Sequence, residues 1–243
     1  MQALYRRRGP GGLRSRWLFR TARHAWRRVG RRPPGIQLHP QLDDLEAEIS
    51  YLLVRHFRPE TLVEISPCGG WSSAWLLHAL RDNGSGSLFS FDLVDLAPKN
   101  VPEELARGRW TFVQGDIRAH VDRLPPSIDY VFMDSDHSSA FCRWYIETIF
   151  RRLAPGTPVS VHDVFGGAAC DPDGGEPEVI LEWLRAVGVP FLTVSRADPS
   201  ARAEVESVKR ALGLEGVVHS ADEQRDNPMI FFEIPGGRLD DPR

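Results

Sequence analysis

The chain has 243 residues, 42% hydrophobic and 26% charged, which suits one domain with a sizeable core and an appended arm and excludes a wholly disordered protein. Net charge is -3 but unevenly spread. The first 42 residues carry eleven Arg and no Asp or Glu, and the remainder sets nineteen Lys and Arg against thirty-three acids, a balance that argues against a nucleic-acid partner. Cys68, Cys142 and Cys170 are odd in number and far apart, so neither a disulfide framework nor a zinc site is expected, and with no signal peptide and no apolar run of membrane-spanning length the expected compartment is the cytoplasm.

Residues 1–35 read as the arm. Met1 to Gly12 is rich in Arg and Gly. From Leu13 to Gly30 the pattern is helical, with Arg16, Arg20, Arg23 and Arg27 on one face and Leu18, Ala22, Ala25, Trp26 and Val29 on the other. Such a helix can cover apolar surface of its own chain or of a second copy in a homo-oligomer. It can also lie on an anionic membrane surface, the less favoured reading. Pro33-Pro34-Gly35 ends the arm, and residues 36–243 form the domain.

Gln41 to Phe57 predicts a helix that could form part of a lid. Strands and helices then alternate. Strands are expected at Thr61–Ile65, Ser87–Phe91, Trp110–Gln114, Ile128–Met133, Pro158–Val161, Pro190–Val194 and Met229–Ile234. Helices are expected at Ser72–Leu80, Pro102–Arg107, Arg118–Leu124, Ser138–Leu153, Glu178–Val187 and Ala201–Leu212. Alternation of this kind predicts an α/β fold, a doubly wound, mostly parallel sheet with helices on both faces. Phe165 to Pro177 is too polar and Gly-rich for an element and reads as a substrate loop, in which Asp171, Asp173 and Glu176 are further candidate cation ligands.

The domain is organised around Thr61–Leu80. A buried strand breaks at Ser66-Pro67-Cys68-Gly69-Gly70 and resumes as a helix, with Ser72 or Ser73 placed to cap it. This layout presents free backbone N–H groups to a ligand. Asp92, at the tip of the second strand, can accept hydrogen bonds from ribose hydroxyls. The turn lacks the G-x-G-x-x-G of a dinucleotide site, which argues against a nicotinamide-dependent oxidoreductase. Glu64, inside the first strand, suits a ligand bearing an ammonium group.

The stretch V-E-I-S-P-C-G-G-W-S resembles the first motif of class I S-adenosylmethionine-dependent methyltransferases, E/D-x-G-x-G-x-G. Glu64 stands at the acid, Ser66 and Cys68 replace the first two glycines, and Gly70 keeps the third. The resemblance covers about Leu42 to Ile234. It implies the Rossmann-like seven-stranded sheet in which the last strand runs antiparallel between the fifth and sixth. It also implies that Glu64, Ser66, Pro67, Cys68, Gly70, Trp71 and Ser72 hold the methionine part of S-adenosylmethionine, and Asp92 the ribose. Asp116 or the Ile117 backbone would meet the adenine edge, with Ile117 on its face, and Asp134 and Ser135 would complete the cofactor site.

The fourth and fifth strands end in Asp134-Ser135-Asp136-His137 and His162-Asp163-Val164. Asp134 and Asp163 are hard oxygen ligands suited to Mg²⁺. D-S-D-H and V-H-D-V resemble the antibiotic-sugar O-methyltransferases more than the catechol type, and by that resemblance His137 is the base that takes a proton from the hydroxyl of a small-molecule acceptor, a sugar or phenol. The catechol type has Asp-Asn after the fifth strand. Here Val164 follows Asp163, so His162 or a residue of 164–178 would complete the metal ligands. The altered glycines leave a rival reading, a non-catalytic binding protein that retains the fold.

Overall fold

The computed structural model describes residues 38, 41–165, 175–195, 197–211 and 229–236. The arm, most of the 165–177 segment and Leu212 lie outside the described residues. The elements are α1 (Asp44–Phe57), β1 (Thr61–Ile65), α2 (Trp71–Asn83), β2 (Ser87–Asp92), α3 (Ala97–Asn100), α4 (Glu103–Ala106) and β3 (Trp110–Gln114). They continue with β4 (Tyr130–Met133), α5 (Ser139–Thr148), β5 (Pro158–Val161), α6 (Gly175–Ala186), β6 (Leu192–Thr193), α7 (Pro199–Ala211) and β7 (Ile230–Glu233).

The seven strands form one sheet in the order β3-β2-β1-β4-β5-β7-β6. β7 is antiparallel to both β5 and β6, and the other pairs are parallel. Strand order reverses between β1 and β4, so a crevice opens beyond the carboxyl tips of these two strands. That crevice places Ser66 beside Asp134.

Strand alternation divides the core into two layers. Leu62, Tyr130 and Phe132 face the layer of α1 and α2, while Val63, Ile65, Val131 and Met133 face the layer of α5 and α6. Both faces of β1 and β4 are covered, which is why these strands read as near-continuous apolar runs. α2 is buried along nearly its whole length, sandwiched between α1 and the sheet. Trp75 has no exposed surface and meets Tyr51 of α1 edge to face at 6.2 Å.

Several local expectations differ from the structure, among them the strand expected at Pro190–Val194, which is reduced to Leu192–Thr193. The run Arg118–Leu124 is not an α-helix but two 3-10 turns, Ile117–Ala119 and Val121–Arg123. It is closed by Pro125-Pro126 and is too short to offset helix nucleation. The helix expected to Leu153 ends at Thr148 and continues as a 3-10 turn, Phe150–Arg152. The tighter turn goes with a fully buried Phe150, packed against Tyr145, Trp183 and Phe232. α3, which the sequence pattern does not anticipate, arises at Ala97-Pro98, where proline occupies an early helical position. α6 starts at Gly175, inside the segment expected to be loop.

At the end of α2, Asp82 ties this helix to α1. Its carboxylate accepts from the Tyr51 hydroxyl (2.8 Å) and pairs with Arg81 (3.1 Å) and His78 (3.6 Å). Burial alone would raise the Asp82 carboxyl, but His78, Tyr51 and Arg81 together hold it well below its ordinary value of 3.8. A depressed carboxyl stabilises the fold above the unfolded value, and that stabilisation is lost as pH falls through the folded value. Asp82→Asn should therefore lower unfolding free energy at neutral pH by about 1–3 kcal/mol in urea titration. The gap to wild type should shrink as pH drops below 3.8; a gap independent of pH would contradict the pairing.

Candidate active site

Three of the five turn residues after β1 adopt left-handed backbone: Ser66 (φ 60), Cys68 (φ 47) and Gly70 (φ 88). These are the positions where the resembled motif carries glycine. Left-handed backbone costs a non-glycine residue about 1–2 kcal/mol, so Ser66 and Cys68 keep the glycine conformation under strain. At Gly70 no side chain fits, because a Cβ would stand 2.6 Å from Val101 Cγ2. Gly70, not a serine, is the N-cap of α2, and no side chain caps the helix.

The turn is pinned to neighbouring strands. Ser66 N–H donates to Phe91 O (2.8 Å), and Gly70 N–H closes onto Pro67 O (2.7 Å). Cys68 N–H donates to Asp92 Oδ2 (2.7 Å), and Asp92 Oδ1 accepts from Val94 N–H (3.1 Å). Asp92 thus sits at the tip of β2 as expected, but one of its oxygens also clasps the turn.

Several expected ligand contacts take a different form. Glu64 has no exposed surface. Its oxygens accept from Ser72 Oγ (2.7 Å), Ser73 Oγ (2.6 Å) and Ser90 Oγ (2.6 Å). Burial pushes its carboxyl up, against the three hydroxyls that favour the charge. Glu64 therefore braces the strand from behind and does not face a ligand's ammonium group, and the Ser72 hydroxyl is spent on it. Trp71 is buried, edge to face with Trp75 at 6.4 Å, and belongs to the core. Asp116 caps the turn after β3 and is paired with Arg118 (2.6 Å), so its carboxylate is engaged by protein. Ile117 is buried in the same cluster as Phe91 and Val113.

At the tips of β4 and β5 the acids and imidazoles converge. Asp134, His162 and Asp163 each present one ligating atom, all within 4.8 Å of one another, a geometry that can hold a metal ion. His137 Nε2 lies 3.7 Å from Asp134 Oδ1 and 3.5 Å from Asp163 Oδ2. Its other nitrogen, Nδ1, is held by Glu176 Oε2 at 2.7 Å. Glu176 is buried, accepts from Tyr145 OH (2.7 Å), and donates its N–H to His137 O (2.8 Å). Burial lowers the affinity of His137 for a proton, but Glu176, Asp134 and Asp163 outweigh it and raise its pKa. His162 is shifted further upward, because its burial is opposed by Asp134, Asp163 and Glu46. His137 and Asp163 are also left-handed (φ 56 each), so the strain seen in the turn recurs across the crevice. Ser135, next to Asp134 in sequence, has a buried Oγ without a hydrogen-bond partner.

A family model described as a methyltransferase domain matches residues 63–164, the span from β1 to the tip of β5. Most of the chain is similar to solved structures, among them two O-methyltransferases. One is the O-methyltransferase from Bacillus cereus in complex with SAH, at 16% identity and TM-score 0.55, covering 88% of this chain and 90% of that one. The other is the O-methyltransferase TomG from Streptomyces achromogenes, involved in tomaymycin synthesis and in complex with SAM, at 18% identity and TM-score 0.57, covering 90% of each chain. At these identities the likeness is one of fold. No curated protein sequence matches the chain. No helix among the described residues is long and apolar enough to cross a membrane.

Two residues build the site in ways the sequence does not announce. Glu176, a candidate cation ligand within a polar loop on sequence grounds, is the partner of His137. Glu46 of α1 reaches the site from behind, its Oε2 3.5 Å from His162 Nε2. A signal existed for Glu46: Asp43-x-x-Glu46 is a capping box, and both of its reciprocal hydrogen bonds are present.

The strained turn yields a test on stability. Cys68 is exposed, so its replacement disturbs little packing. Cys68→Val places a β-branched side chain in left-handed backbone and should be less stable than Cys68→Gly by about 1–2 kcal/mol. Chemical denaturation of the two variants checks this; equal midpoints would show the turn is not held left-handed.

Proposed function

We propose that the methyltransferase transfers a methyl group from S-adenosylmethionine to a hydroxyl oxygen of a small molecule, a sugar or a phenol, with His137 as general base and a divalent cation, Mg²⁺ by the resemblance, assisting. The observation that carries this reading is His137 at the β4 tip, steadied on Nδ1 by Glu176, with Nε2 directed toward Asp134 and Asp163. The two solved O-methyltransferases in complex with SAH and SAM support the choice of cofactor and of acceptor atom.

The residues divide the work. The left-handed turn and the tip of β2 frame the cofactor side of the crevice, with Asp92 toward ribose. S-adenosylmethionine supplies a methyl carbon on a positively charged sulfur. Glu176 keeps a proton on His137 Nδ1, which leaves Nε2 to take the proton of the acceptor hydroxyl as its oxygen attacks that carbon. The acceptor oxygen gains the methyl group, and the carbon–sulfur bond electrons return to sulfur. Asp134, Asp163 and His162 fit a divalent cation, because their ligating atoms converge. Such a cation would lower the pKa of the bound hydroxyl and orient it for in-line transfer.

Calorimetric titration of the purified protein with S-adenosylhomocysteine tests the cofactor, and micromolar binding is the expected result. Absence of binding would remove the basis of the reading and favour the non-catalytic alternative. His137→Ala should bind S-adenosylhomocysteine normally while losing methyl transfer from radiolabelled donor to an acceptor found in a panel of phenols and sugars. Near-normal transfer would exclude His137 as base.

A further inference from the structure

The donor set at the β4 and β5 tips is not made of oxygen alone. His162 Nδ1 stands 3.3 Å from Asp134 Oδ1 and 3.3 Å from Asp163 Oδ1. Its side chain is only 7% exposed, and neither ring nitrogen makes a hydrogen bond. A buried imidazole aimed at two carboxylates, close but off the hydrogen-bonding line, needs a physical reason. Metal–ligand bonds of about 2.1 Å place adjacent ligand atoms of an octahedral ion about 3 Å apart, near the spacing observed.

The residue after Asp163 offers no alternative, since Val164 is apolar and buried. Behind the ring, Glu46 Oε2 faces Nε2 at 3.5 Å. Glu46 is itself fixed, its Oε2 accepting from Asp43 N–H (3.1 Å) and its Oε1 from Met229 N–H (3.2 Å). Metal-bound imidazoles commonly turn their second nitrogen toward such a carboxylate, which sets the tautomer and strengthens the donor. Asp134 and Asp163 in front and Glu46 behind therefore surround His162 as they would a ligand.

We propose that His162 is a nitrogen ligand of this site and that the site selects a first-row transition-metal ion over Mg²⁺. The inference rests on the methyltransferase reading above and concerns which ion serves it. Mg²⁺ holds oxygen donors and water and gains little from imidazole, whereas ions from Mn²⁺ to Zn²⁺ accept a mixed set of two carboxylates and one imidazole.

The test uses the full chain freed of metal with a chelator. Mg²⁺, Mn²⁺ and Zn²⁺ are titrated separately by calorimetry, and the Mn²⁺-loaded protein is examined by pulsed electron paramagnetic resonance for directly bonded nitrogen. The expected order of affinity is Zn²⁺ above Mn²⁺ above Mg²⁺, with Mn²⁺ about tenfold or more tighter than Mg²⁺. Nitrogen coupling should be present in wild type and in His137→Gln, and lost in His162→Gln together with about tenfold or more in affinity. The wild-type spectrum needs no variant, so poor folding of His162→Gln leaves the test intact. Failure to bind Mn²⁺, Mn²⁺ bound without nitrogen coupling, or coupling lost only in His137→Gln overturns the proposal. S-adenosylhomocysteine binding measured on the same sample separates the two readings: cofactor bound without a nitrogen-ligated metal refutes the metal proposal alone.

Discussion

The structure depends on one acidic side chain buried away from solvent, Glu64. Glu64 lies inside β1 with no exposed surface, and three hydroxyls converge on its oxygens to offset the cost of burying so polar a group. Ser72 and Ser73 come from α2 and Ser90 from β2, and Ser90 in turn accepts from Trp110 Nε1 of β3 at 2.8 Å. One side chain thereby joins three strands and a helix. The turn 66–70 spans the distance between this hub and the start of α2, so its two ends are fixed before its own preferences count. That explains how serine and cysteine come to hold conformations that glycine would adopt freely.

Strain and charge share one edge of the sheet. Of the five non-glycine residues with positive φ among the described residues, Ser66, Cys68, His137 and Asp163 stand just beyond strand tips, and only Arg58 lies elsewhere, at the end of α1. Left-handed backbone at a strand end turns the chain sharply and brings side chains over the crevice. The acids and imidazoles collected there are held from outside the sheet as well, Glu176 from α6 and Glu46 from α1. The site is thus assembled by tertiary contacts among elements that the sheet alone would not bring into register.

The strands were the most legible part of the sequence. β1, β3 and β5 fall where β-branched and aromatic runs meet Pro, Gly or Asp boundaries, and buried strands leave such runs uninterrupted. The antiparallel β7 came from the family resemblance, since four residues of apolar chain carry no direction. Glu64 was legible as a residue but not as an orientation. Counting by two from Leu62 places it on the face that α2 covers, which rules out a ligand there. Asp116 is engaged by Arg118 in the same short turn, a pairing that strand and helix periodicity does not announce. Glu176 was obscured by its polar neighbours, yet the Pro177 that follows suits the first turn of a helix and marks where α6 begins. What stayed hidden in each case was a long-range partner, which single-sequence periodicity does not encode.

The hydrogen bond from Met229 N–H to Glu46 has a consequence for how this molecule reaches its native state. Its partners are 183 residues apart, so it closes a loop of most of the described chain. Among the described residues β7, which Met229 leads into, is also the only neighbour of β5 on that side and the only partner of β6. Until β7 is in place, β5 keeps an unpaired, fully buried-type edge and α1 lacks its far anchor. Loop closure of this length is slow, and such an edge invites pairing with another chain. On the ribosome, a nascent chain emerging in order would carry this exposed edge until residue 233 had cleared the exit, and the cluster behind His162 would be the last part of the crevice to set.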